Sequence, residues 1–361
     1  MKEYTVNRAI NFSAGPSMLP LPVLEQVQAE LFDFQGSGMS VMEVSHRGPV
    51  FASVQEQIES DLAELLSIPS GYRIVLMQGG GQAQFSMIPL NFGNGEAAPV
   101  YIETGHWGRL AVKAAHQYVS PHVIQQPHSV CQPSNGWGID DQAAYLYTVD
   151  NETVDGLEFS QPPKVNQIPL ISDMSSNFLS RPIAISDYGM VFACAQKNLG
   201  IAGVTVAIIS EELLSRTTMS ITPPLYTYAH CLSKSSVPNT PATFSWYVMG
   251  LVLQWIKQEG GLSVMNDRAV VRSQLLYDYI DQSSLYTAPV EPESRSRMNV
   301  TFGVAEPQLE SAFLQQAERA GLTHLKGHKA VGGFRASMYN SMPLSGVQAL
   351  IDFMKTFEKE S

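Results

Sequence analysis

Cysteine is scarce in this chain: there are three among 361 residues, Cys131, Cys194 and Cys231, and no Cys-x-x-Cys pair. That excludes a disulfide framework and offers no thiolate set for zinc. The eight histidines show no metal-ligand spacing either, so no metal is expected. Positive charge is also short, with 22 Lys and Arg against 33 Asp and Glu and a formal net charge of -11. Such a surface repels nucleic acid and anionic membranes, so an anionic ligand must meet a local cluster of cations. Long apolar runs are missing. The longest, around Trp246 to Ile256, falls well short of the ~18 residues that span a bilayer. The opening Met1-Lys-Glu-Tyr-Thr-Val-Asn7 has no signal-peptide layout, and the expectation is a cytoplasmic protein without membrane or nucleic-acid partners. Internal repeats, the dinucleotide fingerprint and the P-loop pattern are absent as well.

A hydrophobic share of 44% and a length beyond one typical domain predict a large domain, residues 1–260 with an N-terminal arm, and a smaller α+β domain, residues 261–361. The arm through Pro22 reads as loop, followed by a helix from about Val23 to Phe34. His46 and Arg47 adjoin a glycine turn ahead of a helix from about Phe51 to Leu66. Two neighbouring cations there suit an anion or form a solvated turn.

From Tyr72 onward strands and helices alternate, which predicts an α/β fold with a mainly parallel sheet covered on both faces. The strand Arg73 to Met77 runs into Gly79-Gly80-Gly81 and a helix opening at Gln82, a cradle whose amides can approach a phosphate. Trp107 follows the strand Pro99 to Glu103, placed to stack on a flat ring or to pack in the core. Ser120 to Gly138 is less regular. Thr153 follows the strand Ala144 to Thr148, and Asp173 ends the strand Ile168 to Ser172, where it caps a helix or pairs with a cation.

Lys197, in Ala195-Gln196-Lys197-Asn198, lies on a tight connection between Tyr188–Ala195 and Gly203–Ser210, both read as core strands. An ammonium over a core is solvated, paired or chemically employed, and employment means a Schiff base with a carbonyl such as that of pyridoxal phosphate (PLP). Gly81, Trp107, Thr153, Asp173 and Lys197 all fall at or beyond the carboxyl ends of successive strands, where open α/β sheets bind ligands. The glycines would hold a phosphate, the indole would cover a pyridine ring, Lys197 would bond its aldehyde and Asp173 would keep its nitrogen protonated. Further on, Asn239-Thr240-Pro241 opens a long apolar helix, with Thr240 as its cap and Pro241 as its first residue. His328, Lys329 and Arg335 supply cations in the C-terminal part, and Arg335 in mid-strand calls for a carboxylate.

These stretches, together with Asn11-Phe-Ser-Ala-Gly-Pro16, Met42 to Gly48, Asn151-Glu-Thr-Val-Asp-Gly156, Asp173-Met-Ser-Ser176 and Gly332-Gly-Phe-Arg-Ala-Ser337, give the chain its likeness. Over nearly its whole length it resembles the phosphoserine aminotransferases, class V members of the fold-type I PLP enzymes. The resemblance implies a Schiff base on Lys197, Asp173 on the ring nitrogen and Trp107 stacked on the ring. Gly81, Gln82, Thr153 and Gln196 would help bind the cofactor, with Asn239 and Thr240 reaching its phosphate from the partner subunit of a homodimer. It further implies that Arg335 takes the substrate α-carboxylate, and that His46, Arg47, His328 and Lys329 meet the distal phosphate or carboxylate.

The implied reaction is transamination between glutamate and 3-phosphohydroxypyruvate, in serine biosynthesis. The same pocket would suit 4-phosphohydroxythreonine, in pyridoxine biosynthesis. Ala14 stands where the family commonly has serine, Gln82 and Ala83 replace an Arg-Gly pair, and Lys329 replaces an arginine, losing its bidentate fork. These departures bear on substrate preference. Other readings are a class V aminotransferase with a different substrate and a noncatalytic protein that keeps the fold. A cysteine desulfurase would need a mobile cysteine, and none follows Cys231.

Overall fold

The computed structural model describes residues 8–127, 129–131, 137–165 and 167–361; the opening heptapeptide and parts of the stretch from Ser120 to Gly138 lie outside them. Ile10–Asn11 (β1), Leu21–Glu30 (α1) and Pro49–Leu65 (α2) precede the alternating region. That region runs Tyr72–Met77 (β2), Gly80–Phe92 (α3), Val100–Glu103 (β3), His106–Ala115 (α4), His122–Gln125 (β4) and Leu146–Val149 (β5). A small hairpin follows, Asn151–Glu152 (β6) and Leu157–Glu158 (β7), then Leu170–Asp173 (β8), Met190–Cys194 (β9) and Thr205–Ser210 (β10). The short helices Glu211–Leu214 (α5) and Tyr228–Ser233 (α6) lead to the long pair Thr243–Gln258 (α7) and Gly261–Gln282 (α8). Tyr286–Thr287 (β11), Asn299–Val304 (β12), Glu310–Arg319 (α9), Leu322–Thr323 (β13), Phe334–Ser337 (β14) and Leu344–Glu360 (α10) complete the chain.

Seven strands form one sheet in the order β2-β10-β9-β8-β5-β3-β4. Only β10 runs antiparallel to its neighbours, β9 and β2; the remaining pairs are parallel. β5, β8 and β9 are buried at every residue, as strands covered on both faces must be. The strand period of two sorts the side chains of β10. Val206 and Ile208 pack with Ile58 and Leu62 of α2 and Trp246 and Leu253 of α7, whereas Ala207 and Ile209 join Phe85 and Ile88 of α3 and Ala111 of α4. A separate core gathers Val300, Phe302, Phe313, Phe334, Leu350 and Met354 around β12, β14, α9 and α10. Helix α8 serves both cores, with Leu262 and Met265 in the first and Leu276 and Ile280 in the second. No helix among the described residues is long and apolar enough to cross a membrane.

Several local expectations need correction. The arm is not all loop: β1 pairs in parallel with β13, and Phe12 is fully buried in the second core. Helix α3 begins at Gly80, so Gln82 is its third residue. Thr240 does not cap α7, which starts at Thr243 after Ala242 and has no side-chain cap. The Thr240 carbonyl instead accepts the Gln78 side-chain amide at 2.9 Å, and the Ser245 hydroxyl is spent on Ala202 O at 2.8 Å. β4, inside the stretch read as irregular, is a sheet edge whose His122 and Gln125 are exposed, which leaves little apolar pattern to read.

Removing the Phe12 ring leaves a cavity between β1 and the second core. Phe12→Ala is expected to destabilise the protein by about 3–5 kcal/mol, read as a lower denaturant midpoint; an unchanged midpoint would place the arm outside the cooperative fold.

Candidate active site

The connection between β9 and β10 delivers Lys197 into a pocket of about 260 Å³ that Gly81, Gln82, Trp107, Thr153, Asp173 and Gln196 also line. Lys197 Nζ donates to Thr153 Oγ1 and to Ser176 Oγ, both at 2.7 Å, and the two hydroxyls are themselves hydrogen-bonded. The turn is clamped on both sides. Ser17 donates from Oγ to Lys197 O at 2.6 Å and from its amide to Gln196 O at 3.0 Å, while Asn198 Nδ2 donates to Ser176 O at 3.0 Å. The amine therefore projects from a backbone with little freedom, towards the carboxyl ends of the parallel strands.

Asp173, the last residue of β8, lies on the same pocket. Oδ1 accepts the Ser175 amide at 2.8 Å, so the cap role is partly realised, and Oδ2 stands 3.8 Å from where a Cβ on Gly81 would be. Burial pushes the Asp173 carboxyl up from its ordinary value, against the pull of the Ser175 hydrogen bonds and the Lys197 charge. A carboxylate in that position gains from a cationic N–H at its pocket-facing oxygen. Beside it, Gly79 and Gly80 adopt φ of 108° and 65°, and a Cβ on Gly79 would meet the Ala83 Cβ at 2.5 Å. Glycine alone permits this turn, and it aims the first amides of α3, which lack intrahelical acceptors, at the pocket. The Trp107 indole forms another wall, with its Nε1 buried and without a partner among the described residues.

The β6–β7 hairpin links these parts, and sequence reasoning missed most of its work. Glu152, fully buried, accepts the amides of Trp107 at 2.9 Å and Gly108 at 2.7 Å, and Asp155 accepts that of His106 at 2.8 Å. The two carboxylates thus hold the first turn of α4 and fix the backbone of Trp107. Ser176, Glu152 and Asp155 all lie inside motifs quoted for the likeness. Their roles depend on contacts across the fold that spacing does not encode.

Burial, with the Asp155 charge beside it, pushes the Glu152 carboxyl up to about 8, opposed by the Gly108 and Trp107 amides. A proton held when folded but released from the unfolded chain stabilises the fold at low pH. That contribution is lost as pH rises from the ordinary value of 4.5 to about 8. The stability advantage of wild type over Glu152→Gln is therefore expected to shrink between about pH 5 and pH 8 in denaturant titrations; a gap constant across that range would mean a carboxylate ionised throughout.

Arg335 leaves β14 to donate from Nη1 to Thr153 O at 3.1 Å. The carboxylate expected for it is not among its described partners, and burial lowers its guanidinium from the ordinary value. His328 and Lys329 lie on the turn before β14. The His328 ring centroid is 4.8 Å from that of His106, and burial, reinforced by the positive charges of His106, Arg335 and Lys329, lowers its imidazole. Other expected site residues are not brought together within one chain. His46 and Arg47, just ahead of α2, line neither this pocket nor the cleft beside it, and His46 Nε2 is buried without a described partner. Asn239 and Thr240 are exposed and also line neither.

Comparison with known proteins places this arrangement. The family described as Aminotransferase class-V matches residues 9–350. The phosphoserine aminotransferase of Nitrosomonas europaea is 45% identical, over 98% of this chain and 99% of that protein, and that of Coxiella burnetii is likewise 45% identical with the same coverage. Among solved structures, phosphoserine aminotransferase from Bacillus circulans subsp. alkalophilus superposes with a TM-score of 0.93 at 40% identity, covering 98% of this chain and 99% of that one. The PLP-bound phosphoserine aminotransferase of Trichomonas vaginalis gives 0.91 at 39%, covering 96% and 100%. Alanine–glyoxylate aminotransferase from a Nostoc species, at 20% identity and 0.79, shares the fold. Matched from end to end by such relatives, the chain belongs to the class-V aminotransferase family, among its phosphoserine aminotransferases.

Proposed function

We propose that this chain is a PLP-dependent aminotransferase that moves an amino group reversibly between glutamate and 3-phosphohydroxypyruvate, yielding 2-oxoglutarate and O-phosphoserine. The observation that carries it is the Lys197 amine, held by two hydroxyls at 2.7 Å in the pocket that Asp173, Trp107 and the glycine turn also line. The residues present fit the cofactor: an amine for its aldehyde, a buried carboxylate for its ring nitrogen, a glycine-bounded helix start for its phosphate and an indole for its ring face. When bound, pyridoxal phosphate supplies an aldehyde that captures the amino group and an electron-withdrawing ring that stabilises negative charge at the substrate Cα.

The chain's own residues do the rest. Lys197 Nζ would take the proton from the substrate Cα and pass it to C4' of the cofactor, the reverse occurring in the second half-reaction, and Thr153 and Ser176 hold the free amine in place. Asp173 keeps a proton on the ring nitrogen, and Trp107 excludes water from one ring face. Gly81 and Gln82 would hold the phosphate through backbone amides, and Gln196, on the same pocket, would help bind the cofactor. Arg335 offers a guanidinium fork to the α-carboxylate, and His328 and Lys329 attract the distal anion, phosphate in one half-reaction and carboxylate in the other. 4-Phosphohydroxythreonine, which carries the same anions, is a substrate on this reading, and the enzyme works in the cytoplasm.

The active unit on this proposal is a homodimer in which each chain lends Asn239, Thr240, His46 and Arg47 to its partner. Supporting this, those residues stand outside the pocket of their own chain, and Phe32 and Ile221 are 86% and 67% exposed. On a division into residues 1–260 and 261–361, the cofactor residues fall in the first part and Arg335, His328 and Lys329 in the second.

Glutamate is expected to bleach the visible band of the purified holoenzyme and phosphohydroxypyruvate to restore it, with phosphoserine formed. Restoration by an unphosphorylated oxoacid alone would overturn the substrate assignment. Lys197→Ala is expected to lower turnover at least about 100-fold while the folded spectrum persists. In sedimentation, Phe32→Asp should shift the protein towards monomer with a parallel loss of activity; a fully active monomer would rule out residues lent across subunits.

A further inference from the structure

Next to the pocket lies a second cleft of about 530 Å³, which His106, Asp155, Gly332 and Gly333 help to line. Its geometry singles out a side chain with no role so far. His106 is the first residue of α4 and Trp107 the second, so one helical turn contributes to both cavities. The His106 backbone is anchored by its amide on Asp155 Oδ2 at 2.8 Å. Its ring meets that of His328 at a centroid distance of 4.8 Å and an interplanar angle of 54°. Lys329 and Arg335 act on the same imidazole, which puts four cationic or protonatable groups in one neighbourhood.

Among the described residues none of His106, His328, Lys329 and Arg335 forms an ion pair, although the chain as a whole carries a net charge of -11. The carboxylates that face them are Asp155, already engaged by the His106 amide, and Glu310 on the cleft wall; Arg109, also on that wall, is paired with Glu103. Four N–H-bearing side chains facing two carboxylates, none of the four in an ion pair, leave donors free for an anion that comes from solution. A lysine at position 329 offers a point charge without a planar fork, so a phosphate there has oxygens left over for another donor.

We propose that His106 is a specificity-determining contact for the distal phosphate of the substrate, donating an imidazole N–H beside His328 and Lys329. The inference rests on the proposed aminotransferase function and adds to it. A phosphate presents three oxygens and up to two charges, whereas the side-chain carboxylate of glutamate presents two oxygens and one charge. An added donor therefore favours the phosphorylated oxoacid over the dicarboxylic acid.

The test uses the holoenzyme and the variants His106→Ala and His106→Gln. Steady-state kinetics with phosphohydroxypyruvate are joined by titration of inorganic phosphate as a competitor. In His106→Ala the KM for phosphohydroxypyruvate is expected to rise about tenfold, with the loss falling mainly on KM rather than kcat. Inhibition by inorganic phosphate should weaken in parallel, and half-saturation by glutamate should change less. His106→Gln, which keeps a donor, should recover part of the loss and serves if the alanine variant folds poorly. Unchanged KM and phosphate inhibition in both variants would overturn the proposal. So would a loss confined to kcat or to the visible spectrum, which would mean that His106 acts only by positioning Trp107. If wild type binds inorganic phosphate in a His106-dependent way yet turns over no phosphorylated oxoacid, the contact stands and the substrate assignment fails.

Discussion

The site depends on the satisfaction of one buried polar strip, Asn151 to Asp155. The residues that turn inward there are answered by several separate parts of the fold. Asn151 Nδ2 donates to Asn299 Oδ1 at 2.8 Å, Glu152 and Asp155 take the first amides of α4, Thr153 receives Lys197, and the Thr153 carbonyl receives Arg335. Buried polar groups without partners cost about 1–3 kcal/mol each, so these elements cannot shift independently. The strip sets the indole, the amine and the guanidinium relative to one another because all three must meet it at once.

Charge is distributed by the same economy. The protein is acidic overall, and its cations at the site are held where carboxylates are few and already occupied. Asp150 is taken by Arg181 at 3.1 Å and Glu158 by Arg297 at 2.5 Å, both near the hairpin and away from the pocket lining. The fold pairs Asp150 and Glu158 with arginines of their own, while His328, Lys329 and Arg335 of the C-terminal part form no ion pair among the described residues. On the proposed function, an anionic substrate would be drawn to a small region of a repelling surface and oriented before it binds.

Much of this was legible in the sequence. The alternation of short apolar strands with helices specified the parallel sheet, and candidate side chains just past strand ends pointed to the one pocket that they line together. Lys197, Asp173, Trp107, Thr153 and Gly81 come together because strand ends converge whatever the intervening loops do. What stayed hidden has a common physical cause: information carried by pairing rather than by pattern. β1 and β13 are two residues each, too short for any periodicity, and only their mutual register defines them. Edge strand β4 lacks an apolar rhythm, and Glu152 is indistinguishable in sequence from a solvated acid. The cap expected of Thr240 failed because α7 starts only at Thr243, which leaves Ala242 in the cap position and the Thr240 carbonyl to the Gln78 side chain.

The short parallel pairing of β1 with β13 also has a temporal side. Ile10 leaves the ribosome 312 residues ahead of its partner Leu322, and the same arm carries Ser17, which braces the Lys197 turn. The strand ends that line the pocket can therefore assemble well before the Ser17 brace behind the Lys197 turn is fastened. The clamp is completed only when the strand at Leu322 captures the arm, and until then the lysine turn has its Thr153, Ser176 and Asn198 contacts without the Ser17 side.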